Sequence, residues 1–345
     1  MAQSNRSSRI QGFKGFKGYR GSSDTRDTRD TRDSRVYLVS LLLALSTANL
    51  SAQEHSTGYE FLKIPTSAHS AALGGNAVSI VEDDATLLFV NPAMLSYTAN
   101  NTLNFNYTSY IASTNKLSAA FATQTGERGT IGFGASVLNY GTMTETDANM
   151  QTLGEFSAND IDIQGGYTYM LSDRWNGGVQ GKVLMSKYGE FSSVAIGVDL
   201  GLHYYDSEKG WAVGLVGQNL GGQIKALHET REALPFCLAF GVSKELENAP
   251  IRITVTMPDI THWQNTFMHN LTLGCDIFPS RQTWLAISYN PLRAREMRTG
   301  TDDKSHSAGL ALGGGLSLKK LKIGVGWGKY HVSASSLICN IAYSF

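Results

Sequence analysis

The chain has 345 residues, with 36 Gly, 15 Tyr and 14 Phe against only 7 Pro, and charged residues make up 17% of it, below the quarter or so usual for soluble proteins. That composition favours a β-rich protein with much of its surface out of water, and since no window approaches the ~18 consecutive apolar residues of a spanning helix, any membrane passage must be by strands. The net charge of zero conceals a split: residues 1–35 carry nine Lys or Arg against four Asp (9 − 4 = +5), leaving 20 basic and 25 acidic residues, a net of −5, in the remainder.

Residues 1–35 contain GFKGFKGYRG and the repeat DTRDTRDTRD, which have no core-forming pattern. Val36–Ala52 is uncharged, follows Arg35 and ends in small residues before Gln53, matching the apolar core and cleavage region of a secretory signal peptide. Residues 1–52 are therefore expected to be a basic extension and a signal peptide, cleaved near Ala52, and the exported chain keeps no basic arm for nucleic acid. Cys237, Cys275 and Cys339 are odd in number and widely spaced, which fits neither a metal site nor a disulfide framework; they read as small apolar residues on strands.

Residues 53–100 break the pattern of all that follows. Thr66 or Ser67 can cap a short helix through Ala71 to Leu73 that Gly74 and Gly75 stop, and a second short helix can begin near Asp83 and Asp84 and must end before Pro92. A helix-and-turn segment of this size ahead of a strand-only region suits a plug for a barrel lumen, here on the periplasmic side.

From residue 101 alternation takes over. Ile131, Phe133, Ala135 and Val137 oppose Gly132, Gly134 and Ser136, and Val198, Leu200, Leu202 and Tyr204 oppose Asp199, Gly201 and His203. The second face carries Gly, Ser, Gln, Asp and Asn rather than the Lys and Glu of a soluble sandwich, which suits a crowded lumen. Strands are placed at 101–110, 115–123, 129–140, 159–171, 174–187, 192–205, 210–220, 234–244, 250–258, 267–278, 282–290, 305–317, 321–328 and 334–345, fourteen in all. Connections after even-numbered strands are short, while those after the third, seventh, ninth and eleventh are long, the arrangement of an outer-membrane barrel with short periplasmic turns. The last stretch, SSLICNIAYSF, sets Leu337, Cys339, Ile341, Tyr343 and Phe345 on one face. Alone it would also fit a soluble sandwich; after thirteen other strands it reads as the closing strand, with Tyr343 and Phe345 in the periplasmic aromatic girdle and read by the barrel-assembly machinery. The fold expected is an all-β transmembrane, 14-stranded antiparallel barrel over residues 101–345 with a helical plug.

Catalytic and cofactor signatures are missing: GxGxxG after a strand, GxxxxGK[ST], GxSxG and HExxH do not occur, so no enzyme, cofactor or metal site is expected. His228 with Glu229 and Glu232 reads as a solvated loop. Glu82, Asp83 and Asp84 read as a helix cap or a salt bridge to the wall rather than a cation site. Asp160, Asp162, Lys182, Asp199 and His203 are expected to face the lumen on neighbouring strands, as ionic lining that pins the plug or, alternatively, as a transport path.

The segment from Gly58 to Tyr107 carries a resemblance. Phe61-Leu62 followed by Pro65, Ala71 to Gly75, the Asp83-Asp84 pair, Asn91-Pro92-Ala93 and the strand ending Asn104-Phe105-Asn106-Tyr107 resemble the PorV/PorQ family of type IX secretion outer-membrane proteins, PorQ branch, itself similar to FadL-type fatty-acid transporters. Asn219-Leu220-Gly221-Gly222 and Leu234-Pro235 also fit. The resemblance implies a non-enzymatic component of the cargo attachment complex, anchoring a PorZ-like surface protein beside PorU/PorV-like partners, with outer-membrane lipid and lipopolysaccharide around it. Trp263, Arg293, Arg295 and Arg298 on long loops would form the docking surface, being residue types enriched in binding hot spots. The alternative is a FadL-type diffusive transporter of hydrophobic small molecules, which predicts an apolar pocket at the plug and a lateral opening; a lumen lined only by Asp, Gln, Ser and Lys counts against it.

Overall fold

The alternation read from the sequence becomes fourteen antiparallel strands: β1 Thr102–Ser109, β2 Asn115–Thr125, β3 Gly129–Thr146, β4 Thr152–Met170, β5 Trp175–Tyr188, β6 Phe191–Asp206, β7 Trp211–Lys225, β8 Cys237–Glu245, β9 Ile251–Met257, β10 Thr272–Ser280, β11 Thr283–Tyr289, β12 Leu310–Leu318, β13 Leu321–Gly328 and β14 Ser336–Ser344. The computed structural model describes residues 58–345 apart from 112–113, 148, 150, 228–230, 262–269, 298–307 and 331–333. The signal peptide, Trp263, Arg298, His228 and Glu229 lie outside the described residues. Each strand pairs with its sequence neighbours, and β14 returns to β1 in the register Thr102↔Ser344 to Ser109↔Leu337, so the sheet closes and has no edge.

The two faces separate as in a membrane barrel and opposite to a soluble one. Leu117 and Phe133 are each 59% exposed on the outside, whereas Asn104 on β1 and Asp160 on β4 are each 1% exposed on the inside. Residues outside meet lipid chains, and those inside meet only the wall and whatever fills it. Closure gives each strand a partner on both sides, so ladder N–H and C=O groups are paired within the wall, as a bilayer demands. None of the described helices is long and apolar enough to cross a membrane.

The structure departs from the expected strands at several places: β8, β10 and β12 begin inside their expected spans, at Cys237, Thr272 and Leu310, and three stretches expected to be loop carry regular structure. The stretch 141–158, read as a long loop, is mostly strand: β3 and β4 pair beyond the register shift at Asn139/Thr142 and carry a hairpin out to Thr146 and Thr152, past the ends of their outer neighbours. Likewise β7 does not stop at residue 220. It passes Asn219 in a left-handed conformation (φ 61°) and the register shift at Val198/Leu200 on β6, then pairs on to Lys225. Such bulges let a strand absorb an extra residue without leaving the ladder, so an interruption of alternation at these places does not mark a strand end. Third, the loop after β11 opens with a helix, Pro291–Glu296, whose first turn is set by Pro291 and capped by the Asn290 side chain on the N–H of Arg293.

Residues 58–100 fold inside the barrel as one α-helical turn and three 3-10 turns. Ser67 caps Ala68–Ala72 through the N–H of Ser70, and Gly74 and Gly75, at φ +98° and +108°, end it in a conformation that side chains with a Cβ avoid. Asp84 caps Ala85–Phe89, as expected, and Asn91 caps a further turn, Pro92–Tyr97, with Pro92 in its first turn. Leu73, Val78, Ile80, Leu87 and Met94 form a small apolar core with Val216, Ala239 and Ala286 of the wall.

Candidate functional site

The chemistry of this chain is concentrated where the plug meets the wall. Glycines on the inward face let two backbones touch: a Cβ on Gly214 would stand 1.9 Å from the carbonyl oxygen of Val78, and one on Gly178 2.4 Å from the backbone nitrogen of Ala93. The plug motif residues sit at these contacts. The Oδ1 of Asn91 accepts from the N–H of Ala93 (3.0 Å) and its Nδ2 donates to the Val78 carbonyl (3.2 Å), while the Pro92 carbonyl accepts from the Thr168 hydroxyl on β4.

The acidic run 82–84 divides three ways. Glu82 faces His69 within the plug. Asp83 accepts from the N–H of Ala99 (2.6 Å) and pairs with the Lys322 ammonium of β13. Asp84 accepts from Ser67, from the N–H and hydroxyl of Thr86, and from Asn104 of β1 at 2.6 Å. Burial, and next the negative charge of Glu82, push the Asp84 carboxyl up in spite of those donors. Cap and salt bridge are thus both realised. Among the described residues no group of His, Cys, Asp and Glu is arranged to hold a metal ion.

A buried ionic chain runs from plug to wall beside this run. The His69 ring meets Glu82 Oε2 through Nδ1 (2.7 Å) and Asp276 Oδ1 of β10 through Nε2 (2.8 Å), and Arg252 Nε of β9 donates to Asp276 Oδ2 (2.7 Å). Two carboxylates accept at both ring nitrogens, so both must carry protons and the ring is an imidazolium. Burial alone would lower the His69 pKa, but Glu82 and then Asp276 outweigh it and raise it to about 9. Burial likewise opposes the charged form of Glu82, and the His69 charge overcomes it, leaving that carboxyl below its ordinary value. Trp284 of β11 stacks on the imidazolium at 3.8 Å and 6°. Beside this chain, toward the short-turn rim, is a cavity of about 20 Å³ lined by His69, Glu82, Asp83, Trp284 and Lys322 among others, enough for about one water.

The lumen-facing charges expected on β4–β6 are all buried. Lys182 pairs with Asp199 (2.8 Å) and donates to Asn219, and Asp160 accepts from Tyr140 and Tyr188. His203 faces the plug through the Tyr97 hydroxyl (2.9 Å), whose own pKa burial pushes up. Lys116 of β2, not singled out in the sequence, donates to the Ile64 carbonyl (2.9 Å) and the Thr66 hydroxyl (3.0 Å) of the plug. Nor were His69, Arg252, Asp276 and Trp284 singled out. The signal for Arg252 and Asp276 was present: each is a charge at a small-face position of an alternating strand, hence inward. Of the residues expected on a docking surface, Arg293 is turned onto the plug and Arg295 is exposed. Tyr343 and Phe345 stack edge to face at 5.1 Å on the outside of the closing strand. The three cysteines are unpaired and half-buried.

No protein-family model matches the chain, and no curated protein sequence matches it. Among solved structures it is similar to the toluene transporter TodX of Pseudomonas putida, at 11% identity and a TM-score of 0.55 over 82% of this chain and 99% of that one. It is also similar to a FadL homologue of Pseudomonas aeruginosa, at 10% identity and a TM-score of 0.50 over 81% and 98% of the two chains. At these identities the likeness speaks for architecture, and it agrees with the strand count, the closure and the apolar outer face: the chain has the FadL-like fold of a 14-stranded outer-membrane β-barrel.

Proposed function

We propose that the chain is a non-enzymatic outer-membrane component of a type IX secretion system, which anchors a PorZ-like surface partner of the cargo attachment complex and passes nothing through its own lumen. The observation that carries this reading is the plug, pinned to the wall at several heights by buried charges and hydrogen bonds, with a cavity at the ionic chain no larger than a water. The PorV/PorQ resemblance in Gly58–Tyr107 supports the same reading, with long loops at the cell surface, termini in the periplasm and lipopolysaccharide around the outer rim. Deleting the gene and measuring cargo that carries the C-terminal sorting domain at the cell surface tests it. Reduced retention is expected; unchanged retention would sink the proposal.

A second reading is favoured by a specific observation. The two barrels described above are a toluene transporter and a FadL homologue, so the comparisons support FadL-type diffusion of hydrophobic small molecules better than they support secretion. The polar inward face weighs the other way. Uptake of radiolabelled toluene and of a long-chain fatty acid by cells expressing the chain separates the two: uptake no faster than in control cells excludes transport of those compounds.

A further inference from the structure

At the long-loop end of the lumen, the Gly74–Gly75 turn of the plug is surrounded by polar groups that the plug leaves unused. Thr256 lies near the end of β9, Thr272 opens β10 directly opposite it, and Ser288 lies near the end of β11; their side chains are inward and buried. None of these three hydroxyls has a hydrogen-bond partner among the described residues. Arg293, in the helix after β11, donates from Nη2 to the Gly74 carbonyl (2.9 Å) and stacks its guanidinium on the Tyr330 ring (4.2 Å), which leaves Nη1 shut off from solvent and also without a partner. A Cβ on Gly74 would fall 2.3 Å from Thr272 Cγ2 and 3.5 Å from Ser288 Oγ. Thr272 and Ser288 thus flank Gly74, and the Arg293 guanidinium lies against the same turn, 3.4 Å from where a Cβ on Gly75 would stand.

Buried donors without acceptors are costly, most of all on a charged group. The buried arginine of the lumen shows the usual remedy: Arg252 is neutralised by Asp276 at 2.7 Å, whereas the half-buried Arg293, whose Nη1 is shut off from solvent, has no carboxylate partner among the described residues. What is missing at Arg293 is an acceptor with negative charge, and hydroxyl donors stand ready to share it. We infer that Arg293, Thr272, Ser288 and Thr256 form a binding site for a small tetrahedral oxyanion, phosphate, sulfate or the phosphate monoester of a lipid headgroup, seated against the Gly74–Gly75 turn. Guanidinium and hydroxyl groups suit such an ion because its oxygens accept several donors at once. Bound there, it would tie helix Pro291–Glu296 and the plug turn to the wall at the end of the lumen opposite the His69 chain.

The test is isothermal titration of the full-length detergent-solubilised barrel with inorganic phosphate, and separately with a soluble short-chain phosphatidic acid. One saturable site is expected, weakened about tenfold or more in Arg293→Gln and measurably in Ser288→Ala, as loss of a charged hydrogen bond implies. Phosphatidic acid that displaces phosphate identifies a lipid headgroup as the natural occupant, and phosphate binding without displacement identifies the free ion. Should Arg293→Gln give no heat-modifiable barrel, Thr272→Val and Thr256→Val, which keep shape and remove only the hydroxyls, carry the comparison. No saturable binding to the native chain, or binding undiminished in these variants, overturns the site.

Discussion

Replacing His69 with alanine removes a plug side chain that binds two acidic groups at once, and the structure sets the size of the effect. Raising an imidazole from 6.5 to about 9 corresponds to about 3 kcal/mol of preference for its charged form in place. Breaking a buried ion pair by removing one partner costs about 3–5 kcal/mol, and here Glu82 loses its hydrogen-bonded partner while Asp276 keeps Arg252. Taking the lower figure, local opening of the plug at Ala68–Ala72 should become easier by about 3 kcal/mol, roughly a hundredfold. Hydrogen–deuterium exchange of the peptide spanning residues 66–75, measured on the detergent-solubilised barrel, reads this directly. The pH dependence follows from the same shift. Because the folded His69 value lies above the unfolded one, its contribution is present in full below 6.5 and is lost as pH rises through about 9. The lowered Glu82 value works at the other side: its contribution is present above the ordinary carboxylate range and is lost as pH falls through the folded value. Plug protection, corrected for intrinsic exchange, should therefore decline between pH 6.5 and 9 in the native chain, and His69→Ala should lack that slope. Exchange in the variant within about threefold of the native chain, or a flat native profile over that window, refutes the reasoning.

Gly214→Ala sets a methyl group 1.9 Å from a backbone oxygen that cannot rotate away, so it should destabilise plug docking by about 1–3 kcal/mol, seen as faster exchange of the peptide around Val78 with barrel strands unchanged. Asn91→Ala removes both the cap of Pro92–Tyr97 and the donor to Val78; a loss of about 1–2 kcal/mol is expected in the same measurement, and equal protection would show that the motif does not hold the turn. Phe345→Asp should lower the amount of heat-modifiable barrel in the outer membrane, because it removes the ring stacked on Tyr343 at the exposed end of the closing strand; its thermodynamic cost near an interface is only about 0–1 kcal/mol, so a large drop reports on assembly, and wild-type amounts would count against that role.

Strand identity was legible because two solvents impose one rule. Lipid outside and a filled lumen inside make every residue choice binary with period two, and that signal survives at Ile131–Val137 and Ile338–Ala342 without any knowledge of partners. The caps were legible too, since Ser67, Asp84 and the Gly74–Gly75 stop act on backbone within a few residues of themselves. Where strands ended was less so: Asn219 and Gly141 interrupt the alternation, and only the partner strand's register shows that pairing continues past them as a bulge.

The sequence by itself determined which residues turn inward, the local turns of the plug and the even strand number, because each depends on periodicity or on contacts within a few residues. Which inward charges meet was decided by the tertiary structure alone. His69 and Asp276 are 207 residues apart, and their contact follows from the level at which the plug seats among the wall glycines. The same seating brings Arg293 to the Gly74 carbonyl 219 residues away. That level is set by the packing of Val78 on Gly214 and Ala93 on Gly178, a match of two surfaces that no single stretch of chain encodes.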